Sequence, residues 1–578
     1  MPDLVIGGGR RSGAPRPWRA SAIALAMLGV TVVVAWFIYR RSVAYEMPGG
    51  SVAGAISWTA PSGTAPSKAP SNAQLVSAPS LTAPTLAYGD ASLAWSGSIA
   101  VLRVSGDAHA IGAAHGRLLA PLLPRVAAGI APSIEGTVGD TGWFGEWTHD
   151  MRLDWRWRFV DDGLIDQDRR MVAGMTRGAA ASGVTLAYEE LLRAQAVVDI
   201  GVPSRRSAEA HHKSIARSLT VIARQQSAPA RAWIGRTFSL PGLDDGGDAA
   251  MPVLTIARPE GRNAWAGVGW PGQLGVFTGI NAAQLAVLVD PARTADVRPT
   301  RTARPIGLLA RTVLEQAKTL DEAIKIIETT PTLGTAVIVL VDGASGTWVQ
   351  IERTPSKAIV ERHPKSPALG DVLTTNALSS DPENDRARRM LPTVARVERA
   401  AKLVKQPLAD VAALANVLRD TKAPDDAPRP AGHRSVIDDG QAVHAIILDP
   451  SSLELWIADP RAGNRMRAFD LRHELRGEGD RPAPPADIVV DPAADPDRMA
   501  TLALARADLR EARGALHAGH RARAAEACAR ARARAPQLPE AIQLEAVIAQ
   551  ARGDVAQART SYQQWLDGHP DDPKGEER

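Results

Sequence analysis

Cys528 is the only cysteine in the 578-residue chain, so neither an intrachain disulfide nor a cysteine zinc site can be built on it. It sits in an Ala/Arg-rich run, EACARAR, with helical character. In that setting a small buried hydrophobe is the expected role of a lone thiol. His115, in AAHGRLL, reads as a helix residue, and His211 and His212 stand in a polar stretch that reads as solvated loop. Trp143, Trp147, Trp155 and Trp157 crowd together. Core packing is their ordinary role, and lining an apolar ligand pocket is the functional one. No metal ligand set and no cofactor is assigned.

The elements that must carry any chemistry come from the rest of the chain. Its 45% hydrophobic and 22% charged residues are those of globular protein, long enough for two or three folded units. A formal charge of +4 without a long Lys/Arg run excludes a nucleic-acid footprint. Residues 20–39, ASAIALAMLGVTVVVAWFIY, carry no charge, and about twenty residues at 1.5 Å each match a hydrocarbon core of roughly 30 Å. A transmembrane signal anchor is expected there, with Trp36 and Tyr39 at its outer end. Arg10, Arg11, Arg16 and Arg19 before it hold residues 1–19 in the cytoplasm. The alternative is a cleaved signal peptide ending at Ser42-Val43-Ala44. Both place the main domain outside the cytoplasm, periplasmic or on the cell surface.

Residues 40–92 form a linker rich in Pro, Ser and Ala, flexible by composition. A folded unit is expected from 93 to 480, a second linker at 481–497, helical repeats over 498–570 and a disordered tail at 571–578. The repeat rests on a period: Gly519 recurs as Gly553, Ala524 as Ala558 and Pro536 as Pro570, each 34 positions on. That is the tetratricopeptide spacing, in which small residues let paired helices approach and Pro ends the second one. The repeats are either a docking surface for a protein or peptide or a capping bundle.

Between 93 and 480 the pattern is mixed. AVIVLVDGASGTWVQIERTP (336–355), HAIILDPSSLELWIADP (444–460) and SLTVIARQQSAPARAWIGRTF (218–238) each read as a hairpin. PIGLLARTVLEQAKTLDEAIKIIETTP (305–331) contains two helices, the second capped by Thr319 or Asp321. Hairpins with inserted helices make an α+β layered domain.

Five segments, in order, carry a family resemblance: GDAHAIGAAHGRLL (106–119), RMVAGMTRGAAASGVTLAYEELLRAQAVVDI (170–200), WIGRTF (233–238), GWPGQLGVFTGINAAQLAV (269–287) and LTTNALSSD (373–381). Together they resemble the acyl-coenzyme A:6-aminopenicillanic acid acyltransferase family of N-terminal-nucleophile (Ntn) hydrolases. The resemblance implies a four-layer αββα sandwich, here preceded by one transmembrane helix and followed by an all-α repeat segment. It also implies a self-processing enzyme acting on carbon–nitrogen bonds, with a small N-acyl amide or acyl donor as partner. The residue at the start of a strand becomes a new N-terminus, and its α-amino group serves as general base. By that implication Arg236 matches the Arg of the GRN-type strand, Asn281 the Asn of TGxN, Asn376 the Asn of TN, and Arg434 in AGHRS a later Arg. The family's nucleophile is normally Cys. Here Ser218 takes the position, with Thr220 as its alternative on the same strand face. A second departure is Ser239, which stands where the family has an Asp.

Three functions follow. The first is an amidase or acyltransferase cleaved between Arg217 and Ser218. The second is an inactive relative that binds a ligand or protein, and the third is a scaffold whose working part is the helical repeat.

Overall fold

The computed structural model describes residues 17–59, 85–135, 160–200, 217–225, 231–240, 251–292, 302–363, 373–380, 391–477, 485–489 and 496–568, with a few single positions aside. The strands, in chain order, are β1 (Ser57–Thr59), β2 (Thr85–Tyr88), β3 (Ala91–Ser96), β4 (Ile99–Gly106), β5 (Arg217–Arg224), β6 (Ala232–Ser239), β7 (Val253–Pro259), β8 (Trp265–Gly269) and β9 (Thr278–Asn281). They continue as β10 (Leu285–Ala292), β11 (Thr335–Asp342), β12 (Thr347–Arg353), β13 (Ala358–His363), β14 (Leu373–Thr375), β15 (His444–Asp449), β16 (Glu454–Asp459) and β17 (Arg465–Asp470). The helices are α1 (Pro17–Val43), α2 (Ala108–Leu118), α3 (Leu123–Glu135), α4 (Asp166–Ala181), α5 (Tyr188–Gln195), α6 (Val197–Ile200), α7 (Ile306–Gln316) and α8 (Leu320–Thr329). After them come α9 (Leu391–Leu403), α10 (Val411–Leu418), α11 (Arg472–Arg476), α12 (Pro496–His517), α13 (Arg521–Arg534), α14 (Pro539–Arg552) and α15 (Val555–Gly568).

Two sheets form. One has the order β1-β2-β3-β4-β7-β8-β9-β10-β11-β12-β13, and the other β14-β5-β6-β15-β16-β17. Alternation along each strand sorts side chains into layers. Ile99, Val101, Leu254, Ala286 and Leu288 of the first sheet pack with Ile222, Ile234, Ile446 and Ile457 of the second, filling the space between them. The opposite face of the first sheet, with Leu102, Val253, Val287 and Ile338, packs on α2, α4, α7 and α8. The outer face of the second, with Leu219, Val221 and Ile447, packs on α9 and α10. The result is helix, sheet, sheet, helix.

Local chemistry explains the individual elements. The three expected hairpins form as β5/β6, β11/β12 and β15/β16. Thr319 caps α8 in a capping box with Glu322, leaving Asp321 outside that role. The small residues of the first resembling segment serve helix packing. A Cβ on Gly112 would lie 1.9 Å from the Met171 carbonyl oxygen, and one on Gly116 2.0 Å from that of Met175. Gly174 and Gly178 on α4 are equally close to the α2 backbone, so four glycines, each pair one turn apart, let these helices touch.

The chain corrects several expected boundaries. The folded unit begins well before residue 93: β1 and β2 extend the first sheet, and the segment before them is tied down by Arg117 Nη2 donating to the Gly54 carbonyl (2.5 Å) and Tyr88 to that of Ala53 (2.9 Å). Short strands such as SWT and TLAY leave no mark in a Pro/Ser-rich composition. Residues 60–84 and the 571–578 tail lie outside the described residues. Part of the second linker is also fixed, since Ile488 bridges Met466 and Asp487 accepts from Arg465.

Residues 20–39 lie within α1, with Met27, Leu28, Val30 and Phe37 exposed. The expected transmembrane helix is not found: among the described residues no helix is long and apolar enough to cross a membrane. The C-terminal segment forms two helical hairpins, α12/α13 and α14/α15, with Gly519 and Gly553 both in left-handed turns at φ 76° and 80°. Only glycine takes that conformation freely, so the two glycines turn the chain rather than let paired helices approach as expected, and a Cβ on either would meet nothing within 4 Å. Cys528 is buried there, and burial pushes its thiol up to about 12.

Candidate active site

β5 lies between β14 and β6, and its register builds a row of inward-facing side chains. Thr374 and Arg236 flank Thr220, while Phe238 flanks Ser218 and is itself paired with His444. β14 ends one residue before Asn376, so that side chain comes beside Ser218. The Ser218 N–H donates to Asn376 Oδ1 at 2.9 Å, and Asn376 Nδ2 donates to Ser218 Oγ at 3.1 Å and to the Pro291 carbonyl at 2.6 Å. The loop after Asn376 is held from the facing sheet, where Glu352 Oε1 accepts from the N–H groups of Ser379 (2.6 Å) and Ser380 (2.9 Å).

One pair further along, Thr220 meets charge. Arg236 Nη1 donates to Thr220 Oγ1 and to Asp290 Oδ1, both at 2.6 Å, and Thr220 Oγ1 donates to Asp290 Oδ2 at 3.1 Å. Arg236 Nη2 also reaches the Val289 carbonyl. Thr220, Arg236 and Asp290 are fully buried. Burial pulls the guanidinium below its ordinary range while Asp290 opposes the shift, so removing either partner would strand a charge. Asp290 comes from β10, where it shares the inward face with Ala286 and Leu288. It was missed from the sequence because VLVDPA ends in an Asp-Pro pair that looks like a turn. Its one signal is a carboxylate in an otherwise apolar strand.

An aromatic floor closes this end of the sandwich. Phe238 stacks on Trp270 (5.9 Å) and His444 (5.3 Å) and tilts against Phe277 (5.3 Å). His444 Nε2 lies 3.0 Å from Thr278 Oγ1. Burial first, then the neighbouring Arg236 charge, lowers its pKa to about 3, so the ring is neutral.

The other expected residues fall elsewhere. Asn281 does not join Ser218. Residues 278 and 280 of β9 face inward, so Asn281 faces the helices. There its Nδ2 donates to the carbonyls of Leu314 (2.9 Å) and Ala317 (2.7 Å) at the end of α7, and its Oδ1 accepts from Ala283 and Leu285. Ser239 has the outward parity of β6. Asp290, on the inward side, is therefore not in its place; it meets Thr220 and Arg236 instead. Arg434, His211, His212, Trp143 and Trp147 lie outside the described residues. Trp157 is buried and Trp155 half exposed. His115 is buried, its Nε2 accepting the Gly272 N–H at 2.9 Å, and burial lowers its pKa to about 4. Among the described residues no group of acids, histidines or cysteines gathers to hold a metal ion.

A four-layer sandwich with hydroxyls, an amide and a buried ion pair gathered at one end of its facing strands is the arrangement the resemblance implies. Residues 253–462 match the model of the acyl-coenzyme A:6-aminopenicillanic acid acyl-transferase family, a match that starts after Ser218, Thr220 and Arg236 and takes in Asn281, Asp290 and Asn376. Among solved structures, a Caenorhabditis elegans N-acylethanolamine-hydrolyzing acid amidase ortholog is similar at 16% identity, over 40% of this chain and 93% of that one, with a TM-score of 0.30. A mutant conjugated bile acid hydrolase from Clostridium perfringens is similar at 12% identity, over 47% and 98%, with a TM-score of 0.30. No curated protein matches the chain.

Proposed function

We propose that the central domain breaks amide bonds through the Ser218 hydroxyl, after the chain cuts itself between Arg217 and Ser218. The observation that carries this reading is that one side chain, Asn376, brackets both reacting atoms of Ser218, its N–H at 2.9 Å and its Oγ at 3.1 Å. In the first step Ser218 Oγ attacks the Arg217 carbonyl carbon, the C–N bond breaks as the C–O bond forms, and the proton passes to the departing nitrogen. Water then hydrolyses the ester. Arg217 is left with a carboxylate and Ser218 with a free amine and hydroxyl. That amine, with an ordinary pKa of about 7.7–8.0, serves as general base. Asn376 Nδ2 serves as donor to the oxyanion when an N-acyl amide or acyl donor is attacked in turn.

Thr220 is the second reading, favoured by the Asp290 carboxylate that accepts its hydroxyl proton. Ser218→Ala and Thr220→Ala, assayed on a panel of N-acyl amides, separate the two. Loss of turnover only in Ser218→Ala supports the proposal, and loss only in Thr220→Ala moves the nucleophile by two residues. Unchanged turnover in both variants rules out either hydroxyl as nucleophile, and an inactive wild type leaves the ligand- or protein-binding reading.

We also place the protein at a membrane outside the cytoplasm, on the exposed apolar side chains of α1 and the arginines that precede it. We read the two C-terminal hairpins as tetratricopeptide-like units. Alkaline extraction of membranes tests the first statement: release of the whole protein into the supernatant contradicts it.

A further inference from the structure

Among the described residues, the C-terminal hairpins contact the loop of residues 432–441, and that loop contacts the residue before Ser218. Arg217 Nη1 donates to Asp439 Oδ2 at 2.8 Å, and its Nη2 to Gln441 Oε1. On the far side of the same loop, Gln441 Nε2 donates to Glu540 Oε1 at the start of α14, and Arg506 Nη1 of α12 donates to the Gly440 carbonyl at 2.5 Å. Arg506 and Glu540 face each other at 3.7 Å, and Arg506 is 2% exposed. The loop is pressed close. Gly432 has a φ of 83°, and a Cβ there would meet Glu540 and Leu538 within 3 Å. His433 Nε2 lies 3.1 Å from the Gly568 carbonyl oxygen at the end of α15.

We propose that the helical hairpins are a clamp that positions the bond to be cut. Glu540 and Arg506 hold Gly440 and Gln441, which with Asp439 hold Arg217, and the Arg217 carbonyl is the group Ser218 attacks. A buried arginine held by a backbone carbonyl and a carboxylate is a costly contact to keep unless it fixes a geometry. Here it fixes the loop that orients Arg217. Glu540, Arg506 and Gln441 are positioning residues and need not touch substrate. The chemical half of the proposal rests on the cleavage reading above. The mechanical half does not.

The experiment uses the full chain. Amide hydrogen exchange over residues 217–224 and the rate of appearance of a fragment starting at Ser218 are followed in wild type, Glu540→Ala, Glu540→Gln, Arg217→Ala and the Glu540→Ala/Arg217→Ala double variant. Glu511→Ala, which removes a surface partner of Arg523 and Arg530 in the same hairpins, is the control. Glu540→Ala should raise exchange over 217–224 and slow fragment formation at least tenfold, and Glu540→Gln should recover most of both. In the Arg217→Ala background the Glu540 substitution should add nothing, which a general loss of folding would not produce. Unchanged exchange in Glu540→Ala, or additive effects in the double variant, overturns the clamp. If the wild type is never cut but exchange still rises in Glu540→Ala, the clamp stands and the cleavage reading falls.

Discussion

Asn281 ends the short strand TGIN and Asn376 follows the short strand LTT; both are buried, and both spend their side-chain amides on hydrogen bonds. Asn281 faces the helical layer and binds the last carbonyls of α7. Asn376 faces the space between the sheets and binds Ser218. Strand parity alone separates a helix cap from a candidate oxyanion donor. A motif gives the residue type and its spacing, and the sheet decides which layer receives it.

The comparison can be broken by substitution. Asp290→Asn should have the largest effect on stability, about 3–5 kcal/mol, because it leaves the buried Arg236 guanidinium without its countercharge. Denaturant unfolding measures it, and a loss under about 1 kcal/mol would mean that water reaches the pair. Asn376→Ala should slow cleavage and turnover by about 10²–10³, or roughly 3–4 kcal/mol in the barrier, as single-turnover kinetics would show. Asn281→Ala should leave the cleavage rate alone and lower stability by about 1–3 kcal/mol, the cost of orphaned helix-end carbonyls. If the two asparagine variants behave alike, the assignment by parity is wrong.

The helical side of the first sheet should also carry a pH dependence. His115 titrates near 6.5 when unfolded and about 4 when folded, so the unfolded chain takes up a proton first as the pH falls. The stability held by the neutral ring is complete above pH 6.5 and is lost progressively as the pH falls through 4. A shift of that size corresponds to about 3 kcal/mol. His115→Gln, which keeps an acceptor for the Gly272 N–H, should flatten part of the slope between pH 6.5 and 4. His444, depressed in the same direction, should leave the rest.

Much of the scaffold was legible in the sequence because its signals are local. Asp342-Gly343 and the DPSS turn marked two hairpins, and Thr319, offered beside Asp321 as a cap, marked the start of α8. The 34-residue recurrence of Gly519 marked the repeat, though not the left-handed turns that the two glycines make. What escaped depended on contacts distant along the chain. Asp290 joins Thr220 and Arg236 only after the two sheets stack, and Asn281 turned out to cap α7 because β9 presents it to the helices. β1 and β2 are strands because β3 offers an open edge, which their Pro/Ser-rich surroundings conceal. The five resembling segments located the Ser218–Asn376 pair but could not assign the glycines of GDAHAIGAAHGRLL to helix contact.

The most direct test of the central claim is the intact mass and N-terminal sequence of the protein purified from its expressing cell. Cleavage predicts two chains, the second beginning Ser-Leu-Thr-Val at Ser218, and a single uncut chain from Ser218→Ala. A wild-type protein that stays one chain, or a second chain beginning anywhere but Ser218, contradicts it.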